Sequence, residues 1–138
     1  MDKYDKYIKA RNEQNLYAIH LGIITTKMEE GYAKGEISLK KEYFNPMGSV
    51  HGGLIFSLAD TIAGSASVSY GSKTATLSSN MNFVSAAFNT EKIVADAKVV
   101  KRGKKVIVVE VTVSDDKNKA VALGTFTFFN LEKPFLEE

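Results

Sequence analysis

Cysteine is absent from all 138 residues. The chain therefore has no disulfide framework, no thiolate metal site and no cysteine nucleophile. Histidine is almost absent as well. His20 and His51 stand alone, without an acidic cluster near either, and that is a poor basis for a metal site. Proline occurs only at Pro46 and Pro134, both at element boundaries, so no Pro-rich linker or repeat divides the chain. No apolar window reaches the length of a membrane span. The charged start, Met1-Asp2-Lys3-Tyr4-Asp5-Lys6, lacks the apolar core of a secretion signal, and a cytoplasmic location is the expectation. Net charge is only +2, too small an excess to argue for nucleic acid or a membrane surface.

What is present fits one compact domain over residues 1–138. Hydrophobic residues make up 44% and charged residues 25%, ordinary for a globular chain long enough to bury a core. The richest segment is Asn45-Pro46-Met47-Gly48-Ser49-Val50-His51-Gly52-Gly53, which runs into the helix-like Leu54-Ile55-Phe56-Ser57-Leu58-Ala59-Asp60. Gly52 and Gly53 permit close approach to the backbone and sit where a helix begins. Its first amides are unpaired there and carry the positive end of the dipole. Such a helix start can hold a developing oxyanion. An amide side chain, an imidazole, oxyanion donors and a carboxylate within sixteen residues read as acyl-transfer chemistry.

Asp60 lies eight residues beyond Gly52, roughly 12 Å along a helix rising about 1.5 Å per residue. One carbonyl cannot touch both groups of the same chain. The two are either unrelated, or a second copy of the helix lies alongside in a two-fold dimer and delivers its Asp60 to the first copy's Gly52. A plain surface aspartate is the ordinary alternative. Leu58, Ala59, Ile62, Ala63, Gly64 and Ala66 argue against it, because the run is small or apolar on nearly every face and such helices are buried. A buried lone carboxylate is costly and is more often functional than not.

The rest of the chain orders itself around that helix. Tyr4, Tyr7, Ile8 and Arg11 mark one face of an N-terminal helix at about residues 3 to 18. Residues 23 to 29 and 32 to 39 read as a hairpin around Glu30-Gly31. The central helix covers residues 52 to 69 and ends at Tyr70-Gly71-Ser72. Strands follow at residues 75 to 84, 92 to 100, 106 to 114 and 120 to 129. This is an α+β pattern, and a helix apolar all round calls for a sheet wrapped about it.

The spaced set Asn45, Gly48, His51-Gly52-Gly53 and Asp60 resembles the small hotdog-fold acyl-CoA thioesterases of the phenylacetate-degradation (PaaI) type. Their signature is an Asn, a Gly three residues later, then His-Gly-Gly and an acid about nine positions after the His. His20-Leu21-Gly22-Ile23 is similar to the family's entry to its first strand, and Thr76-Leu77-Ser78-Ser79-Asn80 to the strand after the long helix. The resemblance covers roughly residues 15 to 130. It implies a hotdog fold, an antiparallel sheet wrapped around one long helix, and hydrolysis of acyl-CoA by a homodimer, commonly paired into a tetramer. No cofactor is implied, because coenzyme A is part of the substrate.

The same resemblance assigns roles. Asp60 is the general base or nucleophile, and the Gly52 amide of the other subunit polarises the carbonyl. His51 and Asn45 orient the thioester, although His51 also suits a helix cap and Asn45-Pro46 a turn. A Ser or Thr on the following strand positions the water. Aligning Asn80 and Phe83 with the family's Asn and aromatic selects Thr76, whereas a gapless count from Asp60 selects Ser78. Thr76, Ser78, Asn80 and Asn82 share one face by simple alternation. Asn80, Phe83 and the basic turn Lys101, Arg102, Gly103, Lys104 fall to coenzyme A; a solvated loop is the plain alternative for that turn. Ala86-Ala87 replaces a proline frequent in the family, at the edge of the acyl pocket. Two other functions use the same fold. A hotdog dehydratase or hydratase would need a Glu near the helix start, absent here. A non-catalytic acyl-CoA sensor would not need Asp60.

Overall fold

The computed structural model describes residues 1 to 137. Its elements are α1 (Lys3–Gln14), α2 (Leu16–Leu21), β1 (Ile23–Glu29), β2 (Tyr32–Ser38), α3 (Gly52–Val68), β3 (Ser72–Phe83), β4 (Lys92–Arg102), β5 (Val106–Asp115) and β6 (Ala120–Pro134), with one 3-10 turn at Lys41–Tyr43. The six strands form one antiparallel sheet in the order β1-β2-β4-β5-β6-β3. α3 lies across its inner face, which makes this the hotdog arrangement.

Burial explains why α3 sits there. Leu58, Ala59, Ile62, Ala63 and Ala66 are fully buried against Ile37, Ile93, Val109, Val113 and Phe126 of the sheet. The approach is close enough that a Cβ on Gly35 of β2 would collide with Ile62. One stripe of α3 is left uncovered, however. Gly52, Phe56, Ser57, Asp60 and Thr61 remain partly or largely exposed, so the helix is not wrapped all round as its composition suggested.

Two further expectations change. The N-terminal helix is two helices. Asn15 leaves the helical region, ends α1 and caps α2 by accepting from the Ala18 amide. Gly22, left-handed at φ 86°, closes α2 and turns the chain into β1, so His20 is helical. The last strand runs to Pro134 rather than residue 129, because the start of β3 continues the ladder through Thr74–Asn130 and Ser72–Pro134 pairs.

The two sheet edges are treated differently. β1 is covered by α1, and Asn12 bonds both backbone groups of Thr25, accepting from its N–H at 2.8 Å and donating to its carbonyl at 2.9 Å. Among the described residues, β3 has neighbours on one side only. A twelve-residue edge strand, mostly exposed, is one that natural proteins usually cover or pair.

Candidate active site

The loop before α3 is held by its own first residue. Asn45 Oδ1 accepts from the amides of Met47 (2.9 Å) and Ser49 (3.2 Å), and its Nδ2 donates to Ser49 Oγ (2.8 Å). Gly48 turns the chain at φ 88°. The side chain of Asn45 is thus spent on shaping the turn, as Asn does in such loops. His51 is the N-cap of α3, and its Nδ1 accepts from the Gly53 amide at 2.8 Å. Leu54 and Ile55 both donate to the His51 carbonyl. Among the described residues the Gly52 N–H alone in this first turn has no partner. It lines a pocket of about 330 Å³ with Asn45, Val50, Ile55, Phe83 and Ala87. Phe83 packs where a Gly52 side chain would point, 3.4 Å from a built Cβ.

Asp60 sits two turns further along the same stripe. The Thr76 hydroxyl donates to its Oδ1 at 3.3 Å. Burial pushes the Asp60 carboxyl above its ordinary value of 3.8, while the Thr76 hydrogen bond and the positive charge of Arg11 pull it down. Burial is the largest of these causes, so the net direction is up.

A bulge decides which hydroxyl meets Asp60. Thr76 pairs with Phe128 and Ser78 with Thr127, leaving Leu77 as the extra residue. Directly opposed residues of an antiparallel ladder share a face, and Phe128 is buried on the inner side. Thr76 therefore joins Thr74 on the helix side, where Thr74 meets Ser67 at 2.6 Å. Ser78, Asn80 and Asn82 fall on the outer face, so the single polar face expected from alternation does not exist. Asn80 and Asn82 line an outer groove with Glu110, Thr112 and Thr125, away from Asp60 and Gly52.

The basic turn also divides. Lys101 and Arg102 still belong to β4. The Arg102 guanidinium stacks 4.2 Å from the Tyr70 ring centroid, and Lys105 pairs with Glu132 at 2.9 Å. Lys101 and Lys104 are exposed. Gly103 accommodates the tight turn, since a Cβ there would lie 2.8 Å from the Val106 carbonyl oxygen. Arg102, Ile107, Phe128 and Thr76 form one cross-strand row, about 14 Å long at about 4.8 Å per strand step.

In the sequence Arg11 marks only one face of a helix. Its guanidinium reaches α3 and donates from Nη2 to the Thr61 carbonyl (2.8 Å) and from Nε to Ser65 Oγ (2.9 Å). The available signal was one cation in the otherwise apolar series Tyr4, Tyr7, Ile8, Arg11.

The arrangement is two separated groups on one helix, an unpaired amide over a pocket and a carboxylate with a hydroxyl partner. Comparison with known proteins identifies the family. The family model described as Thioesterase superfamily matches residues 47–122. Acyl-coenzyme A thioesterase PaaI of Escherichia coli is 32% identical over 114 residues, 83% of this chain and 81% of that protein. The solved structure of the E. coli PaaI protein superimposes with a TM-score of 0.88 over 94% of each chain at 28% identity. A structure of smu.793 from Streptococcus mutans, bound to acetyl CoA, gives a TM-score of 0.76 over 81% of this chain and 90% of that one, at 31% identity. The chain belongs to the thioesterase superfamily, as a hotdog-fold thioesterase of the PaaI type.

Proposed function

We propose that this protein hydrolyses acyl-CoA thioesters at sites shared between two copies of the chain. Asp60 of one subunit supplies the base or nucleophile, and the partner subunit's Gly52 amide supplies the oxyanion donor. The observation that carries this reading is the split of the two groups along α3, about 12 Å apart at about 1.5 Å per residue, on one uncovered stripe. Acetyl CoA in the S. mutans structure and the name of the E. coli relative support the substrate class.

A single two-fold axis reconciles the halves. Phe56 lies midway between Gly52 and Asp60, is 36% exposed, and packs on Phe126 with ring centroids 5.5 Å apart. Phe126 in turn pairs with Ser79 at the middle of β3. An axis at this level antiparallels both helix and strand with their copies. With β3 paired to itself about Asn80, and Leu77 bulged, Thr76 comes opposite the partner subunit's Phe83. Both residues face inward, so Asp60 and Thr76 meet the partner's Gly52 pocket. The open edge of β3 closes in the same step. A tetramer of such dimers and a cytoplasmic location complete the proposal.

In the reaction, Asp60 removes a proton from water as the oxygen attacks the thioester carbonyl. Negative charge then builds on the carbonyl oxygen and is met by the Gly52 N–H. Collapse expels the CoA thiolate, which takes up the proton held by Asp60, and leaves the free acid. Direct attack by Asp60, through an anhydride that water opens, uses the same atoms. Single turnover in heavy-oxygen water separates the two, because only the anhydride route can leave label in the protein. Lys101 and Lys104 flank Arg102 at the exposed turn that ends β4, where their charges suit the phosphates of coenzyme A.

Subunit mixing tests the shared site. Asp60→Asn and Gly52→Pro should each be nearly inactive. Their heterodimer carries one doubly defective site and one intact site, so about half of native activity per heterodimer should return. Proven exchange with no recovery would refute the shared site.

A further inference from the structure

We propose that Arg11 is a positioning residue for Asp60, a fixed counter-charge that keeps the carboxylate ionised without occupying it. The proposal rests on the reading of Asp60 as the reactive carboxylate.

The guanidinium is fixed from three elements. It belongs to α1 and bonds Thr61 and Ser65, one turn apart on α3. Ser65 Oγ also meets Thr25 Oγ1 of β1 at 2.9 Å. The backbone of Thr25 is held by Asn12, the next residue of α1. Gly64 makes the space, because a Cβ there would stand 3.0 Å from Arg11 Nη2. These contacts permit little movement of the charge.

No carboxylate lies within ion-pair distance of Arg11 among the described residues. A largely buried cation bonded only to neutral groups is expensive, and a long apolar side chain would pack α1 on α3 at lower cost. The charge therefore calls for an explanation. Its bonded neighbour Thr61 is next to Asp60 in the chain, and Asp60 is the acid whose field it feels. A direct ion pair would occupy the carboxylate and hinder water. A nearby charge that stops short of contact favours the ionised form and leaves the second oxygen free, since Thr76 engages only Oδ1.

Among the described residues, two further elements bring neutral hydroxyls near Asp60. β3 contributes the neutral Thr76, and α2 contributes Tyr17, whose hydroxyl meets Ser57 at 2.8 Å one turn away. In the proposed dimer the partner subunit's His51 also faces this site. Its contribution is separated by repeating the profile with His51→Gln.

The test compares Arg11→Met, Arg11→Lys and Asn12→Ala by pH profile of kcat/KM, with Asp60 ionisation followed separately by carboxylate NMR titration. Arg11→Met should move the acid limb and the Asp60 titration to higher pH, with kcat/KM several-fold lower on the acid side and native well above the limb. Arg11→Lys should restore the native limb. Asn12→Ala loosens the same clamp but keeps the charge, so its limb should stay in place. Equal loss at every pH in Arg11→Met, or the same shift in Asn12→Ala, would overturn the proposal. Should Arg11→Met fail to fold, Arg11→Lys decides, because a limb displaced despite the retained charge refutes the counter-charge. The NMR titration keeps its meaning if Asp60→Asn proves fully active, in which case the reading of Asp60, not the electrostatic link, has failed.

Discussion

Thr76 donates its hydroxyl to Asp60 Oδ1 at 3.3 Å, and the bulge at Leu77 turns Ser78 to the opposite face of the sheet. The two hydroxyls are two residues apart and differ completely in environment. Thr76→Ala should lower kcat by about tenfold, less than the roughly hundredfold or more of a proton-transferring group because the hydroxyl only supports Asp60, and move the acid limb to higher pH by removing a bond that favours the carboxylate. Thr76→Ser should restore both. Ser78→Ala should leave the profile native. Steady-state kinetics across pH on the three variants checks this, and a larger loss in Ser78→Ala would reverse the assignment.

Asp60→Asn should cut turnover by on the order of a hundredfold or more while raising thermal stability at neutral pH. The sign follows from linkage. Burial raises the folded carboxyl above its ordinary value of 3.8, so the native state holds its proton more tightly than the unfolded chain. Between the two values stability falls as pH rises. The neutral amide avoids that loss, and its advantage over the native protein should vanish below the unfolded value. Melting curves at acid and neutral pH read the difference directly.

Gly52 permits an unusually clean deletion of a backbone donor. Proline is well tolerated at the first position of a helix, where its missing N–H is an orphan anyway. His51 before it is already extended, at φ -62° and ψ 134°, as a residue preceding proline must be. Gly52→Pro should therefore fold normally and lose at least a hundredfold in kcat, the scale for one oxyanion donor. Gly52→Ala keeps the amide and meets Phe83 at an ordinary 3.4 Å, so it should retain most activity. Circular dichroism and kinetics on the pair make the comparison.

The basic turn should separate by residue. Lys101→Ala with Lys104→Ala should raise KM for acyl-CoA and weaken its salt dependence, leaving kcat and melting temperature near native. Arg102→Ala should instead lower the melting temperature, because its guanidinium covers Tyr70 at 4.2 Å and a cation–π contact contributes about 1 kcal/mol. An unchanged KM in the double variant would leave the turn a solvated loop.

The parts legible in sequence were those set by local pattern. Gly52 at the helix start, the hairpin around Glu30-Gly31 and the alternating strands all follow from neighbours in the chain. The side assignment of Ser78, Asn80 and Asn82 was not legible, because a bulge at Leu77 is fixed by pairing with β6 and leaves no mark in a polar run. The break at Asn15 is illegible for a related reason. The residue breaks a helix by capping the next one, and in an apolar-periodic segment an Asn reads equally well as a surface residue. Arg11 required the third dimension, since its partners lie fifty and more residues away.

Phe56 provides the sharpest test of how two half-sites become one. It lies on neither half, yet the proposed axis passes beside it. Phe56→Glu places two like charges against each other at that axis and leaves Gly52, Asp60 and Thr76 untouched. Like charges brought together in a desolvated contact oppose association strongly. Within one chain the substitution removes a single tilted ring contact with Phe126, an aromatic pair worth about 1 kcal/mol beyond its area, and the side chain is already partly exposed. The variant should stay folded by circular dichroism, elute as a monomer and lose nearly all activity. A dimeric, active Phe56→Glu protein would move the interface elsewhere and require both halves of the site to meet by another path.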